Sequence, residues 1–243
     1  MALTPSTDLS PADWLAGSEL PWQQLVAFGP SGFEAYARLR FLPDPAYPGQ
    51  SENDVDREGP PEHELLRTAL DVLSEHTRTP DDCYFCLWYG WGTAIEGDDG
   101  VRVVEWDRAA GPPMMYRDPP EASRATPTRQ RIAPVFPTSV LEGPKVAIPN
   151  RVTIPARAYF LFRGSLAEFG DWGAADMRPG RPRDFMPDPA FIWPADHAWC
   201  VAKDVDPHYA GIGADAVAIG RLLTHPALDV VAADPSAEQP DYR

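Results

Sequence analysis

The amino-acid sequence predicts an α+β fold: a mostly antiparallel central sheet, a few flanking helices and long Pro-rich loops. Two observations predict this class. Short runs of apolar residues with strand-like spacing recur along the chain, and they do not alternate with helices as regular βαβ units. The 29 Pro and 18 Gly residues among 243 favour long ordered loops beside a compact sheet. We expect a single α+β domain over residues 1–243.

The first third of the chain predicts helices on either side of one strand. Short helices are expected after Ser10 and at Pro21, because proline is well tolerated in the first turn of a helix. From Phe33 to Phe41, apolar residues occupy alternate positions, which predicts a half-buried strand. Pro61 fits the first position of a longer helix. Its apolar residues recur at helical spacing: Leu65, Leu66, Ala69, Leu70, Val72 and Leu73.

The run Cys83–Trp91 is the most aromatic stretch of the chain, and this composition predicts a buried central strand. A second apolar run, Ala198–Ala202, is its expected pairing partner. Val101–Trp106 is expected to continue the sheet after a Gly- and Asp-rich turn at residues 97–100. These runs are where we expect the core to form.

Residues 107–150 are predicted to be a Pro/Arg-rich loop. Prolines exclude a long helix or a central strand there, and five arginines make the segment locally basic. The loop also carries apolar side chains that a free linker lacks: Met114, Met115, Tyr116, Ile132, Val135 and Phe136. We therefore expect it to pack over the sheet rather than to act as a tether.

The last third of the chain predicts most of the remaining sheet. Apolar residues on both faces of Arg157–Arg163 indicate an interior strand. Further strands are expected at 190–193, 198–205, 209–213 and 228–231, and a helix at 214–224. The tail from Asp234 is expected to be frayed.

Charge and composition limit the classes of partner. The net charge of −15 repels nucleic-acid phosphates and anionic membrane surfaces, so we predict neither as a partner. The first residues lack the basic start and apolar run of a signal peptide, and no window is apolar enough to span a membrane. Three cysteines without an export signal favour a reduced, cytoplasmic protein.

Three segments resemble known proteins: Gly32–Leu39, Asp82–Cys86 and Trp193–Trp199. With these segments, the chain resembles a family of uncharacterised soluble proteins from actinobacteria. The resemblance implies a cytoplasmic bacterial protein. It implies no activity and transfers no site residue.

One candidate metal site lies at Asp204, Asp206 and His208. In an extended chain these alternate residues share a face, where two carboxylates and an imidazole can bind Zn²⁺, Mn²⁺ or Fe²⁺ with open positions. The structural alternative is a strand end that runs into a solvated turn, with Pro207 interrupting the ladder. No bound cofactor is otherwise predicted, and a transition metal at these residues is the exception.

The cysteines offer a second candidate metal site. Cys83 and Cys86, with Cys200 and either His76 or His197, supply the ligand types of a tetrahedral zinc site. Residues three apart in a strand, however, point to opposite faces. The pattern therefore favours buried structural thiols, which are common in protein cores.

A candidate ligand pocket comes from four tryptophans that lie near Gly or Pro: Trp88, Trp91, Trp172 and Trp193. Aromatic clusters at strand ends hold flat or sugar-like ligands in many proteins. The structural alternative is that these rings cover the sheet beneath long loops.

Two functions from different classes fit these observations. The first is a non-enzymatic cytosolic interaction protein, similar to an adaptor or an immunity protein, that binds an unidentified protein partner. The second is a metal-dependent hydrolase that uses Asp204, Asp206 and His208. The absence of a complete catalytic set in the sequence favours the first.

Overall fold

The computed structural model describes residues 3–56, 59–88, 143–148, 157–171, 188–203 and 207–242, and the backbone of two further short strands. These ranges are called the described part of the chain. The strands are β1 (Thr4–Pro5), β2 (Ala35–Arg40), β3 (Cys83–Trp88), β4 (Ala94–Glu96), β5 (Arg102–Val104), β6 (Val146–Ile148), β7 (Arg157–Gly164), β8 (Phe191–Pro194), β9 (Cys200–Ala202), β10 (Tyr209–Ala214) and β11 (Val230–Ala232). The α-helices are α1 (Asp13–Ala16), α2 (Trp22–Phe28), α3 (Glu62–Ser74) and α4 (Ala216–Leu223). Short 3₁₀ turns occupy Ser10–Ala12, Glu52–Asp54 and Leu166–Glu168.

Nine of the described strands form one sheet in the order β1–β7–β3–β8–β9–β10–β2–β11, with β6 also paired to β7. Every pair in this sheet is antiparallel. Because β3 occupies one edge of β7, β1 and β6 lie one after the other along its second edge. The α+β class and the mostly antiparallel sheet are therefore confirmed.

The expected partner of β3 was wrong. β3 pairs with β7 and β8, and β9 lies one strand further away, on the far side of β8. A short turn joins β8 to β9, so these neighbours in sequence pair with each other and β8 is left between β9 and β3. Apolar composition alone cannot distinguish two adjacent strands that are both buried.

A second correction concerns residues 101–106. The described strand β5 pairs with β4 in a separate two-stranded sheet and does not extend the main sheet. β4 precedes it directly in the chain, and antiparallel strands that are neighbours in sequence form hairpins readily. Of the predicted loop at 107–150, only residues 143–148, which include β6, belong to the described part of the chain.

The sheet has an apolar core on each face. Along β3, Cys83, Phe85 and Leu87 belong to one core, whereas Tyr84 and Cys86 belong to the other. α3 and α4 cover the first face and α1 and α2 cover the second, which makes three layers. The same alternation along β7 confirms the prediction of an interior strand there.

The two longer helices begin where local chemistry favours it. α3 follows Pro61, carries Glu62 and Glu64 in its first turn, and buries the stripe Leu66, Ala69, Leu70 and Leu73. α4 is capped by Asp215, whose carboxylate accepts a 2.7 Å hydrogen bond from the Ala218 amide. α4 starts two residues later than predicted because β10 continues through Ala214.

None of the helices in the described ranges has the length and apolar composition that a membrane span requires. The tail from Asp234, predicted to be frayed, makes specific contacts in this structure. Asp234 accepts hydrogen bonds from the amide and hydroxyl of Ser236, and the Tyr242 hydroxyl donates to the Pro43 carbonyl at 2.6 Å. The tail therefore lies against the chain that follows β2.

Candidate functional site

The described part of the chain has a strongly acidic exterior. It contains 23 Asp and Glu residues against 9 Lys and Arg residues, a difference of 14 charges. The exposed residues of these types are fifteen acids and four arginines. The exposed acids are Asp8, Asp13, Glu19, Glu34, Asp54, Asp56, Glu64, Asp71, Glu75, Asp81, Asp215, Asp229, Asp234, Glu238 and Asp241. The composition alone does not reveal this separation of charge.

The nine basic side chains of the described part are already engaged within the molecule. Six form ion pairs: Arg38, Arg40, Arg78, Arg163, Lys203 and Arg221. Arg67 donates to the Phe169 carbonyl at 2.7 Å, and Lys145 and Arg157 lie over aromatic rings. Each of these cations already has a partner within the molecule, and the exposed charged side chains of the described part are mostly acids, so carboxylates dominate the field around it.

An open groove of about 300 Å³ separates α3 from α4 on the outer side of the helical layer. Thr68, Asp71 and Val72 of α3, with Glu75 directly after it, line one side, and Arg221 of α4 and the nearby His225 line the other. Glu75 and Arg221 approach to 3.5 Å across the groove. The groove is therefore polar, with one valine among its lining residues.

A partly buried ionic cluster lies on the face of β2 that points away from α3 and α4. Arg38 donates two hydrogen bonds to Asp44, at 2.6 and 3.0 Å, and Arg40 contacts the same carboxylate at 3.2 Å. Arg40 also donates to Asp229 at 2.7 Å. The β2 alternation forces this arrangement, because Ala37 and Leu39 point into the other core.

His208 completes this cluster. Its Nε2 atom lies 3.2 Å from Asp44 Oδ1, and its ring meets Tyr209 and Tyr242 edge-on. The Arg38 guanidinium, more than Arg40 or His208, holds the pKa of Asp44 well below its ordinary value, against the burial that raises it. Two guanidinium groups therefore balance the carboxylates of Asp44 and Asp229, and the cluster joins β2, β10 and the C-terminal tail.

The predicted metal set is only partly placed. His208 is buried beside Asp44, whereas Asp204 and Asp206 lie outside the described residues. Within the described ranges, no three His, Cys, Asp or Glu side chains form a metal-binding group. The metal hypothesis at Asp204, Asp206 and His208 stays a prediction.

The tryptophan pocket also stays a prediction. Trp193 is fully buried, stacked on Tyr84 at 5.7 Å and edge-on to Trp14 at 5.9 Å. Trp88 is partly buried, with the Arg157 guanidinium over its ring at 5.7 Å. Trp91 and Trp172 lie outside the described residues.

The three thiols are buried core groups. Cys83 belongs to one core, and Cys86 and Cys200 belong to the other, which confirms that Cys83 and Cys86 point to opposite faces. Burial, aided by the Asp82 carboxylate, raises the pKa of Cys83 to about 12, and burial also raises the pKa of Cys86 and Cys200. The thiolate is the form that binds metal or attacks a substrate, so these environments disfavour both roles.

The segment Trp193–Trp199 forms the turn between β8 and β9, and Asp196 organises it. The Asp196 carboxylate accepts hydrogen bonds from the Thr77 hydroxyl at 2.8 Å and the Arg78 amide at 2.9 Å. Burial alone raises the pKa of Asp196, but these hydrogen bonds outweigh it and the pKa is lowered. The turn between β8 and β9 is therefore tied by hydrogen bonds to the segment that follows α3.

Comparison of the full chain with protein-family models, with curated proteins and with solved structures found no match in any of the three. The resemblance to actinobacterial proteins therefore stays an expectation from the sequence. Function is therefore inferred from the geometry and charge of this chain's own residues.

Proposed function

We propose that this chain is a non-enzymatic interaction protein of the bacterial cytoplasm that binds a positively charged partner protein. The observation that carries the proposal is the charge of the exterior: fifteen exposed acids against four exposed arginines, with the basic side chains of the described part engaged internally. Adaptor and immunity proteins act by occupying another protein, and this role needs a complementary surface rather than a catalytic group.

The physical basis is electrostatic complementarity. A surface of one sign speeds the encounter with a partner of the opposite sign, and this effect weakens as salt screens the charges. The same field repels phosphate-rich surfaces, which supports a protein partner over a nucleic acid. The three-layer fold, with a core on each face of the sheet, provides a packed body on which such a surface can be displayed.

Affinity capture followed by reconstitution tests the proposal. The tagged chain is exposed to a bacterial lysate in about 50 mM salt, and captured proteins are identified, purified and titrated against it by calorimetry. We expect a basic protein that binds at a defined stoichiometry and associates at least about tenfold more slowly in about 500 mM salt. A tagged acidic protein of unrelated fold and equal net charge is the control.

Two outcomes contradict the proposal. One is a reconstituted complex whose association rate is independent of salt. The other is equal capture of the same basic proteins by the acidic control, because this result would reflect charge without specific recognition.

The alternative, a metal-dependent hydrolase on Asp204, Asp206 and His208, has one observation in its favour. A carboxylate that holds one nitrogen of an imidazole is the usual support of a metal-bound histidine, and Asp44 contacts His208 in this way. Against this alternative, Arg38 and Arg40 both pair with Asp44, and two positive charges beside His208 disfavour a bound cation. Elemental analysis of freshly purified protein separates the functions, since stoichiometric zinc, manganese or iron supports the hydrolase.

A further inference from the structure

We propose that residues 234–242 form a releasable strap, which closes over the ionic cluster around Asp44 and controls the access of solvent and reagents to the imidazole of His208. The strap is closed in this structure, and Tyr242 is the residue that holds it closed. The inference goes beyond the proposed function and does not depend on it, because it is argued from the contacts of the strap alone.

The strap lies over polar groups that are unusually well buried. Within the described part of the chain, the buried polar or charged residues are Arg38 and His208, which are 6% and 4% exposed. Both contact Asp44, and polar groups of this kind are costly to bury unless they are paired. The closed strap therefore keeps a guanidinium and an imidazole, two groups that commonly bind ligands, away from solvent.

Tyr242 makes the contacts that close the strap. Its ring meets the His208 ring edge-on, with 4.9 Å between the ring centroids, and its hydroxyl donates to the Pro43 carbonyl at 2.6 Å. Burial, together with the carboxylates of Glu52 and Asp44, raises the pKa of Tyr242. The hydroxyl therefore stays protonated at neutral pH and remains a hydrogen-bond donor.

The rest of the strap is held weakly. None of the residues 234–242 is buried, and the other hydrogen bonds of the strap run between its own residues. Just before the strap, the Ala233 amide donates to the Tyr36 carbonyl at 2.9 Å, so the chain is anchored at that end. Among the described residues, the Tyr242 hydroxyl makes the one hydrogen bond between the strap and the body.

This arrangement favours local opening. Segments with few buried contacts open at a lower free-energy cost than the core, without unfolding of the whole chain. Release of one side chain, Tyr242, is enough to free the strap up to its anchor at Ala233. His208 keeps its contact with Asp44 at 3.2 Å and with Tyr209, so its ring stays oriented when the strap opens.

Diethyl pyrocarbonate is the probe, because it modifies imidazole nitrogens that solvent can reach, and mass spectrometry measures each histidine separately. Y242A removes both the ring and the hydroxyl, so His208 should be modified at least about tenfold faster than in the unchanged chain. Y242F removes the hydroxyl and keeps the ring, so the rate should rise only about threefold.

Tyr47 provides the matched control. It lies in the segment that follows β2, as Pro43 does, and it is 55% exposed. Y47A should change the modification rate of His208 less than about twofold, and the exposed His63 of α3 is the internal reference in every protein. Equal rates at His208 in the unchanged chain and Y242A, or equal increases in Y47A and Y242A, would overturn the strap.

The unchanged chain gives a second measurement that does not depend on the folding of a variant. Opening of the strap exposes little surface, so the modification rate of His208 should stay nearly constant as urea is raised below the unfolding transition. If the rate instead rises with the same dependence on urea as global unfolding, His208 becomes accessible only when the whole chain unfolds, and the strap is overturned.

Discussion

Arg38, Arg40 and His208 all contact the carboxylate of Asp44, so replacing Asp44 tests how much the ionic cluster contributes to stability. Asp44 is 27% exposed, and its removal leaves the Arg38 guanidinium buried without its counter-ion. D44A should therefore lower the free energy of unfolding by about 2–4 kcal/mol. D229A removes a partner of Arg40 that is 52% exposed, and should cost less than about 1 kcal/mol.

Chemical denaturation of both variants checks this expectation. Equal losses in D44A and D229A would show that burial does not distinguish the two carboxylates. An unchanged stability in D44A would show that the cluster contributes nothing to folding.

The same carboxylate predicts a dependence of stability on pH. Because its interactions with Arg38 hold the pKa of Asp44 below the unfolded value near 3.8, folding favours the ionised form. Its contribution is complete above the unfolded pKa and is lost as the pH falls through the lower folded pKa. Between about pH 5 and pH 2.5, the unfolding free energy of the unchanged chain should therefore fall more steeply than that of D44N. If the unfolding free energies of the unchanged chain and of D44N fell equally with pH, Asp44 would not be the source of this pH dependence.

At the scale of elements, the packing of α2 on β10 depends on Gly211. A Cβ atom at this position would collide with the Ala27 carbonyl and the Phe28 ring, both in α2. G211A should destabilise the fold by about 1–3 kcal/mol, because backbone must move to admit the methyl group.

Gly220 provides the matched control. It lies in α4, and a Cβ atom there meets open space. G220A should stabilise the fold by about 0.5–1 kcal/mol, since alanine favours the helix more than glycine does. Thermal unfolding of both variants measures the difference. A neutral G211A would mean that α2 does not rest directly on β10.

The sequence allowed most described elements to be predicted, because period-two and period-3.6 patterns report which faces are buried. It did not allow us to predict which strands pair with each other in the sheet. Phe191–Trp193 and Ala198–Ala202 are equally apolar, so their composition cannot show which of them lies beside β3. The α3–α4 groove was missed for a related reason, since its two walls are about 150 residues apart in the chain.

The ionic cluster around Asp44 could not be predicted from the sequence for a different reason. Alternation along β2 indicated a polar face at Arg38 and Arg40, and polar faces are usually solvated. Burial of Arg38 depends on Asp44 from the following segment and on His208, which directly precedes β10 and lies 164 residues beyond Asp44. Such contacts are a property of tertiary structure and leave no local pattern.

At the scale of the whole molecule, the distribution of charge also bears on the segment at 107–150. The residues outside the six described ranges hold 12 of the 21 Lys and Arg residues and 13 of the 36 Asp and Glu residues. Their charges nearly cancel, so the net charge of −15 comes almost entirely from the described ranges. Arginines in the segment can pair with the body, but its apolar side chains are expected to supply most of the binding energy.

Limited proteolysis tests whether this segment docks. Arg124, Arg129 and Arg131 are trypsin sites by sequence, and they lie outside the described residues. If the loop packs over the sheet, a protease must wait for it to open locally, so cleavage there should be as slow as cleavage at Arg67 within α3. If the loop is a tether, trypsin should divide the chain rapidly into two fragments. Rapid division into two stable fragments would contradict the expectation of one domain over residues 1–243, and mass spectrometry of the early products identifies the sites.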